Sequence, residues 1–221
     1  MTNIIDLSHI IGNGVVTYKG LPAPHVCDFI SREASQDIYA DGTSFQIEKI
    51  ELVGNSGTYI DSPFHRYEDG KDLSELDLSN CVSLPGLMVN VPHKMPWQAI
   101  THDAFIGLDI AGKAVMINTG WSTLFGTAAY QEGYPFLTKN AAIYLQENGV
   151  KLVGIDSHNI DDTRTNTRPV HTHLLCNEVP IVEHLTNLDA LPNEGFSFTA
   201  APIKFKGVGS FPTRAYAITN Y

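Results

Sequence analysis

This sequence of 221 residues predicts a mixed α/β fold. Three observations carry that reading. Residues 114–156 read as strand, helix and strand in succession, a crossover that joins two parallel strands. Elsewhere short strand candidates outnumber helices, which argues against a regular doubly wound sheet. A hydrophobic fraction of 43%, with 10 Phe and 9 Tyr, can build a sizeable core, and no linker, low-complexity block or internal repeat divides the chain. A single domain over 1–221 is the expected organisation.

The elements follow in order. Ile4–Ser8 is a short apolar strand candidate. Phe45–Val53 alternates, with Gln46, Glu48, Ile50 and Leu52 on one side, and predicts a half-buried strand. Leu87–Val91 and Ala114–Asn118 read as short buried strands, with a brief helix over Asp103–Ile106 capped by Thr101 between them. Lys139–Asn148 is the clearest helix: Thr138 stands at its N-cap, Ala141, Ala142 and Leu145 are good formers, and Gly149 stops it. Strand Lys151–Asp156 follows directly. His171–Glu178 is a short helix candidate, and Phe196–Phe205 and Arg214–Thr219 are strands.

Charge narrows the function. Fourteen Lys and Arg against 24 Asp and Glu give a net charge of -10, a surface that repels phosphate backbones, so neither nucleic acid nor an anionic membrane is an expected partner. No stretch approaches the roughly 20 apolar residues of a spanning helix. Residues 1–10 carry Asp6 and no Lys or Arg, unlike a secretory signal. Cys27, Cys81 and Cys176 are odd in number and far apart, which predicts buried free thiols in a reducing, cytoplasmic setting. Nine histidines stand out, because histidine is the residue of metal ligation and of proton transfer near neutral pH.

The densest chemical segment is Asn55–His65. If residues 55–61 are extended, a period of two sets Asn55, Gly57, Tyr59 and Asp61 on one face, and Gly57 allows close approach to the backbone between them. Pro63 should turn the chain and present His65 beside that face. A turn with a solvated Asp and a packed His accounts for the same letters. The second cluster is His171-Thr172-His173, followed by Glu183-His184. In a strand His171 and His173 share a face; in a helix they lie about 200° apart and cannot chelate one ion. Glu183 follows an apolar run and needs a partner near the core.

Asn55–His65 resembles the signature H-x-G-T-H-x-D-x-P-x-H of the cyclase family, which includes bacterial kynurenine formamidase, isatin hydrolase and related metal-dependent hydrolases. Gly57, Thr58, Asp61, Pro63 and His65 match. The resemblance extends over nearly the whole chain: Ile5-Asp6-Leu7-Ser8, Tyr18-Lys19-Gly20, Thr119-Gly120-Trp121, Gly154-Ile155-Asp156, His171 with Glu183 twelve positions on, Pro202, and Pro212-Thr213-Arg214-Ala215. It implies a swivelling β/β/α fold with a mixed sheet and an arylformamidase-like hydrolase that opens a C–N amide, lactam or lactone bond of a small, in some cases aromatic, metabolite, as in tryptophan catabolism. It also implies a homodimer or higher homo-oligomer.

Carried over residue by residue, Asp61, His171 and Glu183 match metal ligands and His65 matches the acid/base. Asn55 and Tyr59 stand where the family has histidines. An amide oxygen and a phenol with a pKa near 10 are weak ligands, so the first metal position should be crippled. What remains would hold one divalent ion, Mn²⁺ or Mg²⁺ at least as well as Zn²⁺, with open positions and no organic cofactor. In this reading Tyr59 donates to the oxyanion and Asn55 and Trp121 contact the substrate, Trp121 being equally readable as a core residue. The alternatives are a metal-free pocket that binds a small molecule or runs acid/base chemistry, and a decayed site in a structural or regulatory protein.

Overall fold

Apolar runs between residues 84 and 183 are long enough to be covered on both faces, and they form the parallel centre of a nine-stranded sheet. A computed structural model describes residues 2–220. In chain order the strands are β1 (Thr2–Asp6), β2 (His25–Ile30), β3 (Ile47–Glu51), β4 (Tyr59–Asp61), β5 (Leu84–Asn90), β6 (Ala99–Ile100), β7 (Ala114–Asn118), β8 (Phe136–Leu137), β9 (Leu152–Ile155), β10 (Ile181–Glu183), β11 (Phe196–Thr199), β12 (Ser210–Pro212) and β13 (Tyr216–Asn220). The α-helices are α1 (Arg32–Ser35), α2 (Lys139–Glu147) and α3 (Pro169–Cys176). The large sheet has the order β1-β13-β11-β5-β7-β9-β10-β4-β12. Its centre, β5-β7-β9-β10, is parallel and its flanks are antiparallel.

The crossover expected over 114–156 is present. Ala114 and Ile117 pair with Leu152 and Ile155 in parallel register, and α2 lies between the two strands in the chain. The Thr138 hydroxyl accepts from Ala141 N at 3.2 Å, and Gly149 ends the helix with a φ of +76° that only glycine adopts without strain. Ala141, Ala142 and Leu145 bury the inner stripe of α2.

Strand alternation divides the core in two. Val115 and Ile117 pack with α2 and α3 through Leu145, Val170 and Leu174, while Ala114 and Met116 face Ile60, Val182 and Phe198 on the other side. Gly154 has no Cβ because one would meet Leu185 Cδ1 and Met116 Sδ at 2.7 Å.

Four expectations are corrected. The strand within 45–53 exists as β3, but all five of its residues are exposed and it pairs only with β2 in a separate ribbon. Alternation marks a two-faced strand without saying that anything covers either face. Residues 55–58 are not extended: Gly57 turns at φ +61°, and the space where its Cβ would stand is filled by Ile11 Cγ1 at 2.4 Å, so the close approach serves packing. The segment over 103–106 is a 3₁₀ turn, His102–Phe105, and Thr101 donates to the Asp103 carboxylate instead of capping the backbone. Of the thiols only Cys81 is buried; Cys27 is half-buried and Cys176 exposed. Among the described residues no helix is long and apolar enough to cross a membrane.

Candidate active site

The register of three short strands builds the site. β4 lies between β10 and β12, so Tyr59 stands opposite Glu183 and Asp61 opposite Ser210. The period of two sends Tyr59 and Asp61 to the site face, while Ile60 enters the core with Val182. After Asp61 the turn Pro63–His65 brings His65 back over the strand, held by His65 N to Ser62 O at 2.9 Å. This needs close approach of β12: a Cβ on Gly209 would meet His65 N at 2.4 Å.

His171 arrives on the first turn of α3. Among the described residues Arg168, at the N-cap, makes no side-chain capping bond, and Asp161 supplies the acceptor instead. Its carboxylate accepts from Val170 N at 2.8 Å, from His171 N at 3.0 Å and from His171 Nδ1 at 2.7 Å. One residue thus stabilises the helix N-terminus and fixes the imidazole, leaving Nε2 toward the site. Nε2 lies 3.6 Å from Asp61 Oδ2 and 3.7 Å from Glu183 Oε1.

Ser210 orients the other histidine. Its hydroxyl donates to the buried Asp61 Oδ1, which as a carboxylate oxygen only accepts. With its proton given to Asp61, Ser210 Oγ accepts from His65 Nδ1 at 2.7 Å, which places the ring's proton on Nδ1 and leaves the lone pair on Nε2. With 34% of its side chain exposed, His65 can reach a molecule in the cavity, whereas Asp61 at 0% cannot.

A chain of hydroxyls and one imidazole fills the space behind Tyr59. Tyr130 Oη lies 2.9 Å from His184 Nδ1, His184 Nε2 3.2 Å from Tyr18 Oη and Tyr18 Oη 2.8 Å from Tyr59 Oη, and Tyr59 donates to Glu183 Oε2. Burial holds the His184 pKa well below 6.5, so the ring is neutral. Asn159 Nδ2 also reaches Tyr18 Oη at 3.0 Å, and Ile160 N donates to Glu183 Oε1 at 2.6 Å. Tyr18 Oη also lies 2.9 Å from His158 O and Tyr130 Oη 3.2 Å from Asp156 O, carbonyls that compete for the same protons.

The electrostatics follow from burial. Burial and the neighbouring Glu183 carboxylate push the phenols of Tyr18 and Tyr59 well above 10, so both remain neutral. Burial opposes charge on His171, but Glu183, Asp161 and Asp61 overcome it and raise the imidazole to about 10. Burial raises Glu183 to about 6 against the pull of His171.

The donor set decides where an ion fits. It does not fit between Asn55 and Tyr59, because the Tyr59 proton is committed to Glu183 and a neutral phenol coordinates poorly. It fits beside Asp61. There Oδ2 is buried and accepts no hydrogen bond among the described residues, and Asp61, His65 and His171 offer ligand atoms within 4.8 Å of one another. Glu183 faces the same His171 nitrogen.

The other sequence-derived candidates divide. Asn55, Tyr59, His65 and His171 line one cavity of about 220 Å³, together with Tyr18, Arg66, Asn159 and Arg168. Trp121 does not line it. That indole is buried with Tyr130, Tyr134 and Phe136 and donates Nε1 to Tyr130 O at 2.8 Å, as a core residue would. The one Tyr59 proton points at Glu183. His173 shares the helix but not the face of His171. Sequence reasoning missed Tyr18 and Ser210, which lie 41 and 149 positions from Tyr59 and Asp61 and join them only in the fold, and Asp161, which holds His171 ten positions on.

The family model described as “Putative cyclase” matches residues 5–162. A kynurenine formamidase of Geobacillus thermodenitrificans (strain NG80-2) is 28% identical over 178 residues, covering 80% of this chain and 81% of the relative. An isatin hydrolase bound to the product analogue thioisatinate superimposes with a TM-score of 0.84 at 22% identity, covering 100% of this chain and 93% of its own. A structure described as a potential metal-dependent hydrolase with cyclase activity superimposes with a TM-score of 0.81 at 25% identity, covering both chains fully.

Proposed function

Because this chain belongs to the cyclase family, we propose that it is an arylformamidase-like hydrolase that opens the C–N amide bond of a small molecule with the residues around Asp61. The observation that carries the proposal is the orphaned, buried Asp61 Oδ2 beside His171 Nε2 and His65 at the floor of an open cavity.

In this reading Asp61, His171 and Glu183 hold one divalent ion, Mn²⁺, Mg²⁺ or Zn²⁺. When bound, the ion supplies Lewis acidity to a water and to the scissile carbonyl. His65 Nε2 takes the proton from the attacking water and returns it to the leaving nitrogen, because its lone pair is free and its ring reaches the cavity. Asp161 holds His171 in the tautomer whose Nε2 faces Asp61 and Glu183. Tyr59 keeps Glu183 hydrogen-bonded and oriented. Asn55, on the cavity wall, contacts the substrate. The substrate is a small molecule, the assembly a homodimer or higher oligomer, and the location cytoplasmic.

One observation favours a metal-free second reading. His171 Nε2 lies 3.6 Å from Asp61 Oδ2 and 3.7 Å from Glu183 Oε1, so a protonated imidazole can bridge the two carboxylates without an ion. Elemental analysis of protein purified without chelator separates the two. One equivalent per chain supports the hydrolase with an ion, none supports the metal-free site, and two overturn the assignment of Asn55 and Tyr59. Turnover of N-formylkynurenine, with lactones and cyclic imides as a panel, tests the reaction. Full activity in a folded His65→Ala variant would exclude His65 as the base.

A further inference from the structure

The chain has five arginines: Arg32 is exposed on α1, and the surroundings of the other four separate them. Arg164 is clamped by Asp162, with Nε and Nη2 at 2.9 and 2.8 Å, and Arg214 by Asp6 at 2.9 and 2.7 Å. Arg66 and Arg168 both line the cavity above His65 and His171, and neither forms an ion pair among the described residues. In a chain with 24 acidic residues against 14 Lys and Arg, two guanidiniums without a carboxylate at the mouth of one cavity call for an anion from outside.

Their remaining donors are arranged for one. Arg168 Nη1 is anchored to two backbone carbonyls, Thr165 O and Thr167 O, both at 2.7 Å. That leaves the Nε–Nη2 edge, one of the two edges that bind a carboxylate through paired bonds. Arg66 uses Nε on Thr172 Oγ1 at 3.2 Å, leaving Nη1 and Nη2. The cavity is thus polarised, with a basic rim and a floor of His65 and His171 over the buried carboxylates of Asp61 and Glu183. An anionic group is drawn to the rim by the two unpaired guanidiniums. A neutral carbonyl is free to approach His65. The volume of about 220 Å³ admits one substituted ring, since about 150 Å³ suffices for benzene.

We propose that Arg66 and Arg168 form a carboxylate-binding rim, so that the substrate class is amides carrying a carboxylate at one ring's distance or less from the scissile bond. This rests on the hydrolase reading above and names the substrate class of that site.

The test compares N-formylanthranilate with formanilide, which differ by one carboxylate. The wild type should favour the carboxylated amide, and the ratio of the two kcat/KM values should fall about 10- to 100-fold in Arg66→Gln/Arg168→Gln, mainly through KM. Arg168→Lys should recover only part of it, because an ammonium lacks the fork. A ratio unchanged in the double variant overturns the rim. If the wild type turns over neither amide, the hydrolase reading fails, and calorimetric binding of anthranilate against aniline decides the rim separately. Preference for anthranilate that is lost in the double variant supports it, and equal binding refutes it.

Discussion

Replacing Asp161 by Asn tests the central structural claim, that one carboxylate both starts helix α3 and fixes His171. Asp161 accepts three bonds, one on Oδ1 from Val170 N and two on Oδ2 from the amide and ring of His171. An amide side chain keeps a single acceptor oxygen. Its better orientation retains the two bonds to His171 and turns its NH₂ against Val170 N–H, which is buried and then unpaired. Such a donor costs about 1–3 kcal/mol. The lost negative charge at the helix N-terminus adds about 0.3–1 kcal/mol, more where it is buried. Together the variant should lose roughly 2–4 kcal/mol, and with roughly 2–4 °C per kcal/mol for a chain of this size the melting temperature should drop by roughly 4–16 °C. Circular dichroism melts read this, and hydrogen exchange at the Val170 amide locates it. A neutral amide oxygen also polarises and holds the His171 ring less strongly than a carboxylate, so binding of Mn²⁺ or Zn²⁺ should weaken about 10- to 100-fold, as loss of a histidine's orienting carboxylate does elsewhere. A variant that melts with the wild type and binds metal equally well would show that Asp161 is incidental to both tasks.

Two further outcomes are expected. Ser210→Ala removes the hydroxyl that assigns the His65 tautomer, so turnover should fall roughly tenfold or more and ¹⁵N spectra should show Nε2 acquiring a proton; an unchanged His65 spectrum would sink this assignment. Burial holds His158 at about 4, below its unfolded value near 6.5, so the unfolded chain binds the extra proton and stability is lost as pH falls from 6.5 toward 4. The loss approaches roughly 3 kcal/mol for this ring, enclosed by Tyr18, Tyr130 and Tyr134. It is read as the difference in urea midpoints between wild type and His158→Phe at pH 7 and pH 5. The comparison cancels the opposite drift from Asp156, whose carboxyl burial raises to about 6. Equal pH dependence in the two proteins would refute it.

Legibility in the sequence followed the range of the interactions. Helix α2 could be read because Thr138, the alanines and Gly149 act within twelve residues, and β7 and β9 because parallel strands are covered on both faces and show as continuous apolar runs. Strand β3 was legible as a strand and misread in burial, since period-two alternation is the same whether or not a layer covers it. The strand β12 was missed, three residues containing Pro212, because it exists only by pairing with β4.

The sequence by itself determined the family, the crossover and the short list of Asp61, His65, His171 and Glu183, because motif and spacing are properties of the chain in order. It also showed that two histidine positions of that family hold Asn55 and Tyr59. What those substitutions mean was decided by the tertiary structure. Tyr59 is paired across strands with Glu183 and surrounded by Tyr18 and His184, so its proton is spent inside the protein. The same holds for Ser210 on His65, Asp161 on His171 and the two arginines on the rim. Hydrogen bonds are made between atoms about 3 Å apart, and sheet register, not sequence distance, brings those atoms together.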